Sequence, residues 1–172
     1  MVKGGDHMEE RSFRTDDNVE KVIRRYSDMV YRLAFARAGS SFDADEIYQE
    51  VFLRYIRRKP VFRDEEHRKA WLLRVTVNCS AKLLGSAWRQ RTTELTEDIM
   101  KSKEIPFETQ EDLDLYRELQ KLPPDYRMVI HLFYYEDLST AGIARVLKRR
   151  ESTVRTQLTR ARRLLRDILE EE

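Results

Sequence analysis

Apolar residues recur at helical spacing through most of the first half of the chain. The run over residues 19–33 repeats every three or four positions and is terminated near Gly39. A second run over residues 43–57 opens with acidic side chains, which favour a helix start. A short loop over residues 61–65 leads into a third run that reaches about Arg91. This pattern predicts three or four helices packed as one unit. The residues of the second run expected to face inward are Ile47, Val51, Phe52, Tyr55 and Ile56.

The second half of the chain predicts a separate helical unit. Residues 92–111 lose the periodicity, contain Pro106 and are acidic, as is typical of a linker. Helical spacing resumes over residues 113–122 and again over 125–135, with a Pro-Pro break between the two runs. The fold class expected is all-α, with two small helical domains joined by an acidic linker. The expected boundaries are 16–91 for the first domain, 92–111 for the linker and 112–170 for the second domain.

The composition suits helices, and the charges in the second half of the chain fall into an acidic block followed by a basic block. The 172 residues include only five Gly and four Pro, with 37% charged and 41% hydrophobic residues. The net charge of +2 conceals blocks of opposite sign. Residues 94–118 hold nine acids and three bases, a net of −6, whereas residues 145–166 hold nine bases and one acid, a net of +8. The basic block is typical of a surface that binds a polyanion.

Several classes of protein and site are disfavoured. A single cysteine, Cys79, allows no intrachain disulfide, and no apolar run is long enough for a signal sequence or a spanning helix, so a cytoplasmic protein without membrane insertion is expected. Three scattered histidines and one cysteine offer neither a nucleophile with a base nor a metal cluster. No enzyme activity, catalytic residue, metal or cofactor is therefore expected.

The C-terminal segment has the spacing of a helix-turn-helix. Ser139 is a good N-cap for one short helix, residues 148–150 form a basic turn, and a second helix begins near Glu151. In that second helix apolar residues face one side, and arginine and hydroxyl side chains face the other. Such side chains can reach base edges and phosphates when the helix enters a major groove. The sequence therefore predicts a helix-turn-helix that binds duplex DNA.

Motifs along both units resemble those of the extracytoplasmic-function sigma factors, the ECF group of the sigma-70 family of bacterial RNA polymerase. Several linked motifs in this order are more specific than a helix-turn-helix alone. They are residues 43–52 (DADEIYQEVF), Trp71-Leu72 with Asn78, Leu122-Pro123-Pro124, and residues 153–162 (TVRTQLTRAR).

The resemblance implies a promoter-specific initiation factor with divided tasks. The first lobe is expected to bind core RNA polymerase at the clamp helices of its β′ subunit, and to capture the promoter's −10 element as single-stranded DNA. The second lobe is expected to read the −35 element as duplex, and the flap of the polymerase β subunit is a further expected partner. The resemblance also implies inhibition by an anti-sigma factor. Unpaired bases need pockets and stacking surfaces, whereas a duplex needs a helix that fits its groove.

The resemblance also assigns residues to these surfaces. Polymerase-contacting positions are Asp45, Glu46, Gln49, Glu50 and Phe52. Positions for the −10 element are Phe62, Arg63, Asp64, His67, Asn78, Lys82, Arg89 and Arg91, with Arg74 as a further backbone contact. Positions for the −35 element are Arg155, Thr156, Thr159 and Arg160, with Lys148, Arg149, Arg150 and Arg163 as phosphate contacts.

Alternatives remain open from the residues themselves. The carboxylates at the start of the second helix could serve only the helix dipole and solubility. Phe62 and Trp71 could stack on bases or belong to the core, and core is the favoured reading for Trp71. A conventional helix-turn-helix transcriptional regulator would explain the second lobe but not the first.

The chain departs from the family pattern at four positions. Gly142 replaces the Glu that would complete a capping box with Ser139. Lys148 stands at the helix-turn-helix turn, where Gly is common and where a positive φ would strain a lysine. Lys82 and Gly85 stand where Asp and Arg are common, so the family's −10 backbone contacts do not carry over directly to these two positions.

Overall fold

The structure, a computed structural model, describes residues 13–14, 19–86 and 109–171. Within these ranges seven helices and one short strand pair are present, and the all-helical class expected from the sequence is confirmed. The elements in chain order are β1 Phe13–Arg14, α1 Val19–Ala38, α2 Ser41–Arg58, β2 Val61–Phe62, α3 Glu65–Ser86, α4 Gln110–Leu119, α5 Pro124–Tyr134, α6 Thr140–Leu147 and α7 Glu151–Glu170.

The first lobe packs α1, α2 and α3 around one apolar core. Its fully buried members come from all three helices and include Leu33, Ile47 and Leu72. The second helix begins at Ser41, two residues earlier than the spacing predicted, because Ser40 is its N-cap. The hydroxyl of Ser40 accepts a hydrogen bond from the Asp43 amide at 3.3 Å and donates one to the Asp43 carboxylate at 2.8 Å.

The segment over residues 61–65, expected to be a loop, contains a strand. Val61 and Phe62 pair antiparallel with Arg14 and Phe13 respectively. The pairing brings a segment from before the first helix against the connection between α2 and α3. Hydrophobic periodicity could not predict it, since two residues are too few to display alternation.

The second lobe packs α4 to α7, and the first helix of its helix-turn-helix has the N-cap predicted at Ser139. Ser139 accepts a hydrogen bond from the Gly142 amide at 3.0 Å. Lys148 has φ 53°, so this turn does require the left-handed conformation that a lysine adopts at some cost. The Thr140 hydroxyl donates to the Glu151 carboxylate at 2.7 Å and joins the starts of the two helices. This bond, helped by nearby Arg155, lowers the pKa of Glu151.

The two lobes pack against each other. Tyr116 of α4 is 1% exposed, and its ring lies 5.6 Å from that of Phe35 in α1. Its hydroxyl donates to the backbone carbonyl of Arg32 at 2.7 Å. Of the segment expected to be a linker, residues 92–108 lie outside the described ranges, and α4 already begins at Gln110. None of the helices described is long and apolar enough to cross a membrane.

Candidate nucleic-acid and polymerase interfaces

The reader helix α7 has one buried side and one exposed basic side. Val154, Leu158 and Ala161 are buried against α5 and α6 because they recur at helical spacing. The opposite side is exposed to solvent over its first three turns. The exposed residues there include all five positions that the sequence assigned to α7 for the −35 element, namely Arg155, Thr156, Thr159, Arg160 and Arg163.

The exposed residues of α7 differ in how strongly they are held. Arg155 forms an ion pair with Glu151 at 2.7 Å, so its charge is partly compensated within the helix. The hydroxyls of Thr156 and Thr159 each donate at 3.0 Å to the backbone carbonyl four residues earlier. Arg160 has no hydrogen bond or ion pair within the described ranges. Its guanidinium is therefore free to form the bidentate contact that arginine makes with guanine.

One arginine of the basic turn before α7 forms hydrogen bonds with the neighbouring helices. Arg149 donates to Asp125 of α5 at 2.8 Å and to Gln157 at 3.0 Å. Only 27% of its side chain is exposed. Arg149 thus holds the turn against α5 and α7, and a phosphate contact would have to share or replace these bonds. Lys148 and Arg150, by contrast, are exposed.

The predicted −10 loop is fixed by its own polar groups. Asp64 precedes α3, and its carboxylate accepts a hydrogen bond from the His67 amide at 2.8 Å. The Nδ1 atom of His67 accepts from the Arg63 amide at 3.2 Å. Because Nδ1 accepts, the neutral ring carries its proton on Nε2. The loop therefore presents exposed Arg63 and Asp64 from a defined backbone.

Phe62 belongs to the core, which corrects its assignment as a −10 contact. The side chain is only 4% exposed. Its ring is stacked on Tyr55 at 6.2 Å, and the rings of Trp71 and His67 meet it edge-on. The guanidinium of Arg68 lies 5.4 Å from its centroid. Phe62 and Trp71 thus form the base of the loop, and the core alternative left open by the sequence is the one observed.

The remaining residues predicted to contact the −10 element lie in different parts of the structure. Asn78 is exposed on α3. Lys82 lines a groove of about 320 Å³ between α2 and α3, together with Glu46 and Glu50. This places Lys82 beside residues that the sequence assigned to the polymerase. Arg89 and Arg91 lie outside the described ranges.

The predicted polymerase surface on α2 is polar, and one of its assigned residues is buried. Glu46 and Gln49 are exposed, Asp45 is half-buried, and Glu50 pairs with Arg54 at 2.7 Å. Phe52 is only 5% exposed and packs edge-on against Tyr48 at 4.9 Å. Phe52 therefore lies in the core of the first lobe, as the apolar spacing of α2 also predicted, where it supports the helix that carries the exposed polar residues.

Three apolar residues on the exposed side of α2 were missed from the sequence. Phe42, Leu53 and Ile56 are 55%, 42% and 43% exposed, and Ile56 was expected to face inward. Together with Glu46 and Gln49 they form a stripe with alternating spacings of four and three residues. That spacing is the seam of helices that pair with other helices. The signal was present in the sequence but overlaps the inward-facing pattern.

An apolar groove in the second lobe was also missed. It has a volume of about 660 Å³ and lies between α4, α5 and α7. Leu115, Tyr134 and Leu169 at this groove are 41%, 54% and 48% exposed. Arg162 packs over Phe133 at 5.2 Å and donates to the Tyr134 hydroxyl at 2.8 Å, so it is held at one wall. The groove lies on a different side of α7 from the residues predicted to contact the −35 element.

Both lobes match described protein regions. Residues 22–90 match "Sigma-70 region 2", and residues 112–165 match "Sigma-70, region 4". The second match contains the helix-turn-helix, and the first contains the aromatic base, the predicted −10 loop and the stripe on α2.

Curated relatives extend the likeness over most of the chain. The RNA polymerase sigma factor SigV of Bacillus subtilis is 32% identical over 144 residues, covering 83% of this chain and 85% of SigV. The ECF RNA polymerase sigma factor SigE of Mycolicibacterium smegmatis is 31% identical over 157 residues, covering 87% of this chain. The chain spans 61% of the length of that SigE.

Solved structures share the fold. The sigma factor RpoE in complex with the anti-sigma factor NepR, from Bartonella quintana, superposes with a TM-score of 0.68 at 18% identity, covering 88% of this chain and 96% of RpoE. CnrH in complex with the cytosolic domain of CnrY gives a TM-score of 0.63 at 21% identity, covering 92% of this chain and 93% of CnrH. The fold and the paired regions define a factor of the sigma-70 class. The chain belongs to the ECF sigma factors, and it is an RNA polymerase sigma factor for transcription initiation.

Proposed function

We propose that the two lobes divide promoter recognition between a duplex reader and a single-strand binder. The second lobe reads the −35 element through the exposed side of α7. The first lobe binds the unpaired −10 element through Arg63, Asp64 and His67 and through Asn78 on α3. The proposal rests on the side chains that each lobe exposes. The second lobe exposes arginines and hydroxyls along one helix, which suits a duplex, and the first exposes loop residues above an aromatic base, which suits unpaired bases.

The reader side of α7 supports duplex recognition. Its exposed residues combine free or loosely paired arginines with hydroxyls, and Lys148 and Arg150 add cations at the turn before it. In a helix-turn-helix the first residues of the second helix approach base edges while neighbouring cations contact phosphates. Arg160 therefore reads a base, while Lys148, Arg150 and Arg163 supply affinity that does not depend on sequence.

The loop of the first lobe supports single-strand binding. An unpaired base has to be held by a preformed pocket, because extruding it costs a few kcal/mol. The capped start of α3 and the aromatic base beneath Phe62 give Arg63 and Asp64 a fixed backbone. Loop residues on a rigid base can discriminate one base from another without rearranging first.

The apolar surfaces supply the contacts with polymerase. The stripe on α2 has the spacing of a helix-pairing seam and is flanked by carboxylates, which suits the clamp helices of the β′ subunit. The apolar groove of the second lobe suits a helix of the β flap. An anti-sigma factor that covers either surface would compete with the polymerase. The factor acts where the polymerase is, in the cytoplasm, and no catalytic step is assigned to it.

Run-off transcription tests this function directly. Core polymerase from the same organism is combined with the chain and with promoter fragments selected from a library randomised at −10 and −35. We expect transcripts that start at one position and that disappear when either element is scrambled. Core polymerase without the chain is the control. A conventional regulator would instead give no promoter-dependent start unless a second sigma factor were added.

A further inference from the structure

A buried arginine lies beneath the predicted −10 loop. Arg68, near the start of α3, is only 5% exposed, whereas arginine is almost never fully buried unless it is paired. Its backbone amide donates to the Asp64 carbonyl at 3.2 Å, which ties it to the end of the loop. A charge in this position has to be compensated by the groups around it.

The carboxylate of Glu65 supplies this compensation. The Nη1 atom of Arg68 donates to Oε1 of Glu65 at 2.6 Å. The other oxygen, Oε2, accepts from the hydroxyl of Tyr26 in α1 at 2.5 Å, and a nitrogen of Arg25 lies 3.8 Å from it. Burial, followed by the Glu65 carboxylate, raises the pKa of Tyr26 to about 12, so the hydroxyl keeps its proton at neutral pH. Glu65 therefore joins α1 to the first turn of α3.

The guanidinium of Arg68 also contacts the ring of Phe62. Its central carbon lies 5.4 Å from the ring centroid, within the range of a cation–π contact. Phe62 is followed directly by Arg63 and Asp64, the exposed residues of the loop. A shift of the ring would therefore shift the backbone from which these two side chains project.

Stability alone does not account for an arginine at this position. Removing two charges from water costs free energy that their attraction only partly restores, so apolar residues of similar volume often replace a buried ion pair without loss of stability. What a guanidinium adds is direction, because its planar fork can pair with a carboxylate while its face lies against a ring. Arg68 makes contacts of both kinds, one with Glu65 and one with Phe62.

We infer that Arg68 is a positioning residue for recognition of the −10 element. It fixes Phe62 relative to the start of α3, and through Phe62 it fixes the backbone of Arg63 and Asp64. Because Arg68 is buried, it acts through these residues and not by contact with DNA. A loop held in its binding geometry loses less conformational freedom on binding and discriminates better between bases. This role rests on the proposed binding of the unpaired −10 element by the loop.

The test compares Arg68→Met with the wild-type chain, since methionine has a similar length and no charge. Holoenzyme is bound to fluorescent promoter DNA with a duplex −35 element and a single-stranded −10 element, either the selected −10 sequence or that sequence with one base changed. The ratio of the two affinities measures discrimination. We expect the largest ratio to fall about 5-fold, as when one hydrogen bond to a base is lost. The urea midpoint of the free chain should stay the same or rise.

Two further variants serve as controls. Arg68→Lys keeps the charge but lacks the planar fork, so its discrimination ratio should lie between those of Arg68→Met and the wild type. Arg24→Met is the matched change at the surface. Arg24 pairs with Glu20 at 2.6 Å, the same distance as in the buried pair, but 78% of its side chain is exposed. This variant should leave both the urea midpoint and the discrimination ratio unchanged.

Two results would overturn the positioning role while leaving the proposed function intact. One is a folded Arg68→Met variant that discriminates between −10 sequences as well as the wild type does. The other is an Arg68→Met variant that unfolds, or that binds every −10 sequence more weakly by the same factor, because Arg68 would then be a structural residue of the core. A wild-type chain that does not discriminate between −10 sequences would overturn the proposed function, and the positioning role with it.

Discussion

The two lobes display the residues proposed to bind DNA in different ways. In the second lobe one exposed helix side carries the reading residues, and neighbouring helices only hold that helix in place. In the first lobe the corresponding residues come from a loop and from α3, and the loop depends on an aromatic base beneath it. A surface that reads duplex DNA can therefore be built mainly on one helix, whereas a site for single-stranded DNA needs a loop, a helix and a supporting core together.

The largest expected effect concerns the aromatic base of the first lobe. Phe62→Ala removes a ring that is 4% exposed and leaves a cavity among Tyr55, Trp71 and His67. We expect the free energy of unfolding to fall by about 3 to 5 kcal/mol, measured by urea denaturation, as is usual for a buried Phe→Ala change. The neighbouring Val61 is 65% exposed, and Val61→Ala should cost less than about 0.5 kcal/mol. Equal losses in the two variants would contradict the assignment of Phe62 to the core.

A smaller effect is expected in the second lobe, where the change alters recognition more than stability. Arg160→Ala should lose about 1 to 3 kcal/mol of binding on the preferred −35 sequence and relax specificity there. Arg163→Ala, which removes a proposed phosphate contact, should weaken binding to preferred and scrambled sites alike and reduce the salt dependence of binding. Affinities of holoenzyme for the two DNA sequences distinguish these outcomes. An equal loss on both sequences for Arg160→Ala would refute base reading at that position.

The second lobe was predicted well from the sequence because its signals are local. Ser139 lies three residues before the amide that it caps, and the basic block of α7 is contiguous in the chain. The positive φ of Lys148, at the turn where the family often has Gly, is also decided by the adjacent helix end. Each of these features can be predicted within one turn of helix.

The first lobe was predicted less fully because its decisive contacts are distant in sequence. The spacing alone left Phe62 equally suited to a base or to the core, and only the positions of Tyr55 and Trp71 around it decide. Phe52 is buried as its spacing predicted, whereas Ile56, expected to face inward, is 43% exposed because α2 has apolar residues on two sides. The pairing of Val61 with Arg14 and the ion pair between Lys69 and Glu136 join residues that are 47 and 67 positions apart, which periodicity cannot relate.

Permanganate footprinting of promoter DNA tests the division of labour between the lobes most directly. Permanganate oxidises unstacked thymines, so it reports which promoter element is single-stranded when core polymerase and this chain are both bound. The account predicts reactive thymines at the −10 element and unreactive thymines at the −35 element, with neither reactive when the chain is omitted. Thymines that stay unreactive at −10 during productive initiation, or that become reactive at −35, would contradict it.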